Sequence, residues 1–463
     1  MSTPYSYRDP TLSLWQSAVA EVHRRRQSVQ NRMLLATGKE LALPVLAAEK
    51  DLMSPVHLIG DLTNKGQSPD DLFTAKIASM APGGIEVAAD CAKIAAEFLW
   101  AEMKHDEARA KILEGELKYA PCDVLGWSEC VTLYAKYKAD QGKNPYLPNQ
   151  NVVIDLGTKT RLAIIGDWGT GDSVAINVLQ QVAKFKPDVL IHVGDIYYSG
   201  TQPEAQANFL DVCRSLFGVD VPLFSLCGNH DMYSGGLGYY WLVNQIGQQA
   251  SYFCLQNANW QFLAMDTGNN DNNPLTVNTN MTSLPVVNGW SEANWHLQKI
   301  QQAGARKTVM FSHHQLFSAF SSVGSVKDQA CAYNPNLFTN FQSVLPNIEW
   351  WFWGHEHTLA VFEPYMGLKR GRCVGASAVP VFTDQQSYTT AAGLRTLNGV
   401  MPTWGANGVL DSTAGDYNNC FAIMTLNGAS ANVDYYQVPI QGTASRLNVT
   451  DTNLSPGGFP GRW

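Results

Sequence analysis

The feature that most constrains this chain is a pairing, made five times between residues 162 and 357, of a short apolar run with a polar turn. Leu162 to Ile165 leads into Gly166-Asp167-Trp168-Gly169, and Val189 to Val193 leads into Gly194-Asp195-Ile196-Tyr197-Tyr198. Leu223 to Leu226 precedes Gly228-Asn229-His230-Asp231, and Val309 to Phe311 precedes Ser312-His313-His314. Ile348 to Trp353 then runs into Gly354-His355-Glu356-His357, while a sixth run, Phe262 to Met265, ends at Asp266. Short apolar runs alternating with helical patterns predict an α/β domain. In open α/β sheets, ligands bind beyond the carboxyl ends of the strands, where loops from different strands meet.

The turns carry carboxylate, amide, imidazole and phenol side chains, and no thiol. A mixture of N and O donors suits iron, zinc or manganese better than a cysteine-rich structural zinc site. Any one of these turns is ordinary, since Gly-Asp after a strand is most often a plain turn. Together they hold five of the chain's 10 histidines, His230, His313, His314, His355 and His357, which packing alone does not account for. Asp195 is read as a bridge between two metal ions. His192, inside an apolar run, is read as a core residue, and Asp266 as either a turn former or a partner orienting a ligand imidazole.

The ordered set GDWG, GDIYY, GNHD, SHH and GHEH resembles the signature of the calcineurin-like metallophosphoesterases, and within them that of the purple acid phosphatases. The likeness runs from about Arg161 to Val381 and resumes at Asn419 to Gln437, where two apolar runs flank Asn427-Gly428 like a hairpin. The resemblance implies a two-sheet αββα sandwich. It also implies that Asp167, Tyr198 and His357 bind a first metal, that Asn229, His313 and His355 bind a second, and that Asp195 is shared. In the broader family a histidine follows the first Asp by two residues; Gly169 stands there and cannot coordinate. The spacing of the purple acid phosphatases selects Tyr198 to fill that gap, with Tyr197 the neighbouring alternative. A phenolate favours Fe(III), so the implied pair is Fe(III) at the first position and Fe(II), Zn or Mn at the second.

Two such cations would clamp phosphoryl oxygens, acidify a bound water and present the resulting hydroxide to phosphorus. The leaving alkoxide then needs a proton, and His230, next to the ligand Asn229, is the expected general acid. His314 is expected to contact phosphate or support a ligand, and Tyr233 to lie near the leaving group together with Tyr239 and Tyr240. The expected activity is that of a phosphomonoesterase acting on a small phosphate ester. A phosphodiesterase acting on cyclic nucleotides or glycerophosphodiesters uses the same chemistry. A non-catalytic scaffold on the same fold is the third reading, set against the presence of all seven implied ligands.

The remaining sequence frames this domain. Residues 1–143 read as helical, with patterns over Leu12 to Met33, after Pro82-Gly83-Gly84, and from Asp123 to Lys138. This region is expected to support the catalytic domain or to form a homo-oligomer. Two prolines within Lys143 to Asn149 mark a boundary, after which the metallophosphoesterase domain spans 150–440 with an insertion at about 383–416. Residues 441–463 read as an irregular surface tail. A net charge of -8 disfavours polynucleotide and anionic membrane partners. Nine scattered cysteines, an N-terminus without signal-peptide character and the absence of a long apolar run are together read as a cytoplasmic setting.

Overall fold

The structure, a computed structural model, describes residues 143–453 and Tyr137, apart from Tyr198, residues 273–281, Asp328, Phe382, residues 384–386, Ala414 and Gln441. The chain divides into two compact units, Met1–Ala135 and Lys136–Trp463, and the described residues belong to the second. The helices expected within 1–143 lie outside the described residues, except for the helical Tyr137.

Fourteen strands build the two principal sheets. In chain order they are β1 (Val153–Asp155), β2 (Lys159–Ile165), β3 (Val189–His192), β4 (Leu223–Ser225), β5 (Phe253–Gln256), β6 (Trp260–Ala264) and β7 (Lys307–Phe311). They continue with β8 (Ile348–Trp353), β9 (Leu359–Val361), β10 (Gly371–Val374), β11 (Asn419–Asn427), β12 (Ser430–Val438), β13 (Ser445–Arg446) and β14 (Asp451–Thr452). One sheet has the order β1-β5-β6-β7-β8-β10-β9. The other has the order β13-β12-β11-β2-β3-β4, with β14 also paired to β12. All six apolar runs of the sequence are strands, and both sheets are mixed.

Alternation along the strands fixes which side chains share a core. Leu162 and Ile164 of β2, Val189 and Ile191 of β3, and Ala422 and Met424 of β11 join a core with Phe262, Val309 and Phe352 of the first sheet. Their neighbours Ala163, Ile165, Leu190, Phe421 and Ile423 face the opposite side and pack with Val178, Leu179 and Val182 of helix Ser173–Ala183. Successive strand residues point to opposite faces, so each of these strands is apolar on both. Both faces of that sheet are therefore covered.

The expected hairpin forms, with Asn427 opposite Ser430 and Gly428 at φ 58° in the turn. Strand β11 pairs antiparallel with β2 and closes the second sheet. Within the insertion, Trp404 and Tyr388 pack against Phe320 at 4.6 Å and 5.7 Å between ring centroids. The Tyr388 hydroxyl donates to Leu359 O, so these aromatics hold the insertion down. No helix among the described residues is long and apolar enough to cross a membrane.

The tail differs from expectation. Instead of running irregularly over the surface, its described part, residues 442–453, contributes β13 and β14, and Asp451 is buried. The reason is the guanidinium of Arg372 on β10, which reaches Asp451 through Nε at 2.7 Å and Nη2 at 3.0 Å. Tyr435 Oη at 2.6 Å and Trp350 Nε1 at 3.1 Å donate to the same carboxylate, so three strands and both sheets meet on it. Burial opposes charge on Asp451, but Arg372 holds its carboxyl below the ordinary range. Removing one partner of a buried pair leaves the other charge uncompensated. Asp451→Ala is therefore expected to lower unfolding free energy by about 3–5 kcal/mol, read by urea denaturation, with Asp451→Asn intermediate.

Candidate metal centre

The donor side chains leave the carboxyl ends of β2, β3, β7 and β8 and the turn after β4, the place where loops of adjacent strands converge. Asp167, Asp195 and His355 have φ of 54°, 73° and 64°, a left-handed conformation that non-glycine residues seldom adopt. Such strain persists where surrounding structure over-determines it, as at functional sites. The flanking glycines make room. A Cβ on Gly228 would lie 2.0 Å from Asp195 Oδ1, and one on Gly354 would lie 2.5 Å from Asp167 Oδ2.

Two groups of donor atoms result. In one, Asn229 Oδ1 lies 3.0 Å from His313 Nε2 and 2.9 Å from His355 Nδ1, and the two imidazole nitrogens are 3.2 Å apart. In the other, the Tyr197 hydroxyl lies 3.0 Å from Asp167 Oδ1 and 2.9 Å from His357 Nε2, which is itself 3.3 Å from Asp167 Oδ1. Asp195 Oδ2 stands between the groups, 3.3 Å from His313 Nε2 and 3.4 Å from Tyr197 Oη. Asp195 Oδ1 meanwhile accepts from the His230 backbone N–H at 3.0 Å.

The hydrogen bonds around the first group aim lone pairs inward. His313 Nδ1 donates to the Val193 carbonyl at 3.0 Å, which leaves Nε2 as the nitrogen turned toward Asn229 and Asp195, free to coordinate once its proton is lost. Asn229 Nδ2 donates to Tyr233 Oη at 2.7 Å, which turns Oδ1 toward the histidines. Burial opposes charge on Asp195, but His313, His230 and His355 hold its carboxyl well below the usual range. Burial also disfavours charge on His313, and Asp195 overrides it to bring that imidazole up to about 9. Convergent oxygen and nitrogen lone pairs around two buried carboxylates form a donor set that fits cations. Among the described residues, Asp167, Asp195 and His313 form one potential metal cluster, and His313, His314 and His355 form another.

The expected residues Asp167, Asp195, Asn229, His313, His355 and His357 are thus brought together, and among the described residues Tyr197 lies beside them. Tyr198 lies outside the described residues. The direction of Tyr197 has a local cause. Ile196 bridges to Gly169, with the Tyr197 N–H donating to Gly169 O at 2.9 Å, and Ile196 points into the core under the helices. Its successor must face the opposite side, toward the carboxylates. A side chain at Gly169 has no space, because a Cβ there would lie 2.7 Å from Ile196 Cα.

His230 is buried, with Nε2 3.9 Å from Asp195 Oδ2 and its ring 4.5 Å from that of Tyr197. Tyr233 orients Asn229, and His314 has both ring nitrogens engaged, with Thr267 and Asp271. Tyr239 and Tyr240 are buried, their hydroxyls donating to Ser225 O and Asp266 Oδ2. They are core residues. His192 is also core, its Nδ1 3.0 Å from Ser225 Oγ. Asp266 plays the turn role, accepting from Asn269 N at 2.9 Å.

A buried cluster of oxygen and nitrogen donors at the ends of parallel strands defines a metal-binding α/β domain. Residues 160–359 match the family description "Calcineurin-like phosphoesterase". Similar solved structures include a purple acid phosphatase from yellow lupin (Lupinus luteus) seeds, 11% identical with a TM-score of 0.41 over 63% of this chain and 52% of that one. The present chain thus spans about half of the lupin protein. A dimetal phosphatase of Danio rerio is 12% identical with a TM-score of 0.39, covering 62% of this chain and 98% of the other. An anchor protein of the Plasmodium inner membrane complex is 14% identical with a TM-score of 0.40, covering 63% and 89%. No curated protein matches the chain.

Behind the centre lies a second set of buried acids. Glu292 Oε1 accepts from Asp266 N at 2.8 Å and stands 3.2 Å from His296 Nε2, while Oε2 accepts from Tyr146 Oη at 2.8 Å. Burial pushes the Glu292 carboxyl up to about 8, and burial with the nearby Glu292 pushes Asp266 up to about 7. Both groups hold protons more tightly in the folded chain than in the unfolded one. Their contribution to stability is fully present below the ordinary carboxyl range and is lost as pH rises toward 7 and 8. Melting temperature is expected to fall between about pH 4 and about pH 8, and Glu292→Gln to flatten that decline.

Proposed function

We propose that the chain hydrolyses phosphate monoesters at a dinuclear metal centre, as purple acid phosphatases do. The observation that carries this reading is the position of Asp195 Oδ2 between two complete donor groups. Asp167, Tyr197 and His357 would hold the first cation, Asn229, His313 and His355 the second, and Asp195 both. The phenol oxygen suits Fe(III) at the first position, and the neutral donors of the second suit Fe(II), Zn or Mn. Two bound cations supply charge neutralisation for phosphoryl oxygens and acidification of water.

The protein's own part is orientation and proton transfer. Val193 O and Tyr233 Oη fix the directions of His313 and Asn229. His230, pinned to Asp195 through its backbone, holds on Nε2 the proton that the leaving alkoxide requires. Small phosphate esters suit this role better than polynucleotides, given the net charge of -8. The six described cysteines are buried free thiols, which supports a reducing, cytoplasmic setting.

Aerobically purified protein is expected to hold two metal ions, iron among them, and to show a tyrosinate-to-Fe(III) absorption band. Tyr197→Phe should abolish that band and Tyr198→Phe should retain it; the reverse pattern would return the ligand role to Tyr198. Colourless and fully active protein containing only Zn or Mn would refute the iron assignment. His230→Ala should keep both metals and lose turnover by about 10²–10⁴-fold on alkyl phosphates, less on nitrophenyl phosphate. A faster rate on bis(nitrophenyl) phosphate than on the monoester would mark a diesterase instead.

A further inference from the structure

We infer that His314, clamped by Asp271 and Thr267, is a positioning residue for the Asn229/His313/His355 half of the centre and does not contact phosphate. The inference rests on the dinuclear reading above. His314 is fully buried, and its hydrogen bonds leave no ring nitrogen free. Its backbone N–H donates to Thr267 Oγ1 at 3.1 Å, and Nδ1 lies 3.0 Å from the same hydroxyl oxygen. The Thr267 hydroxyl hydrogen is then available to Nδ1, and Nε2–H faces Asp271 Oδ2 at 3.1 Å. A carboxylate accepts only, so this arrangement selects one tautomer and one ring orientation.

So fixed, the ring becomes a wall for the two imidazoles beside it. Its centroid lies 4.5 Å from that of His355, with planes inclined at 40°, and 4.9 Å from that of His313, nearly perpendicular at 89°. His355 and His313 present Nδ1 and Nε2 to Asn229 Oδ1 with this wall against them.

The loop that supplies Thr267 and Asp271 also supports the third donor. Gly268 packs directly on the turn that carries Asn229, where a Cβ on Gly268 would lie 2.3 Å from Gly228 O. Asp271 N–H closes the loop on Gly268 O at 2.9 Å. Residues 266–271 therefore back Asn229 directly and the two histidines through His314, whereas Asp167, Tyr197 and His357 make their mutual contacts elsewhere. Loss of the clamp should weaken one cation position selectively.

The test is equilibrium dialysis of the full-length protein against buffered Zn²⁺, with bound metal counted by elemental analysis, for wild type, Asp271→Ala, His314→Ala and His314→Gln. Supporting residues behind metal ligands typically contribute 10–100-fold to affinity. Asp271→Ala and His314→Ala are expected to weaken the lower-affinity ion by about 10-fold or more while retaining the other ion and the metal-free melting temperature, and His314→Gln should recover part of the loss. Two ions bound by folded variants with affinities within about twofold of wild type would overturn the inference, as would equal loss of both ions. Wild type that binds fewer than two ions would instead overturn the dinuclear reading beneath it.

Discussion

The structure depends on one carboxylate being held in place. Asp195 is buried at the end of β3 in a left-handed backbone conformation, with one oxygen fixed by the amide of His230 and the other shared between two donor groups. A buried charge is tolerated only when partners surround it. Three loops of the centre each supply one: His313 from β7, the His230 amide from the turn after β4, and the Tyr197 hydroxyl from its own loop. The glycine that admits the carboxylate oxygen, Gly228, belongs to the same turn as Asn229 and His230. Removing space at that glycine would displace the shared donor before any ligand were touched.

Most of this was legible because strand ends and their turns are adjacent in sequence. Apolar runs followed by Gly-Asp, Gly-Asn-His-Asp, His-His and Gly-His-Glu-His place polar side chains at strand ends, the resemblance selects six donors among them, and those six meet. The tyrosine was harder to read. What aims Tyr197 at the carboxylates is the bridge between Gly169 and Ile196, a contact between two loops that spacing does not encode, while Tyr198 lies outside the described residues. Sequence places His314 and Tyr233 beside ligands, which leaves His314 open between a phosphate contact and a ligand support. The partners that occupy them, Thr267, Asp271 and the amide of Asn229, lie 47, 43 and 4 residues away.

The last strand was illegible for the same reason. Asn448 to Asn453 carries few apolar residues, and nothing local announces a strand. Its placement follows from a charge 79 residues upstream, Arg372, set within an otherwise apolar strand. The buried acids behind the centre were legible only in part: Asp266 stands out at a strand end, but only the fold brings Glu292 and Tyr146 to it.

The ion pair between Arg372 and Asp451 has a consequence for the order in which the protein is made. The loop bearing His355 and His357 is followed by β9 and β10, and β10 buries Arg372. Until Asp451 is available, that guanidinium has no carboxylate to meet it, and a sheet closed around it would hold an uncompensated charge. Closure of β10 with its charge compensated therefore waits on residue 451, which follows Arg372 by 79 residues.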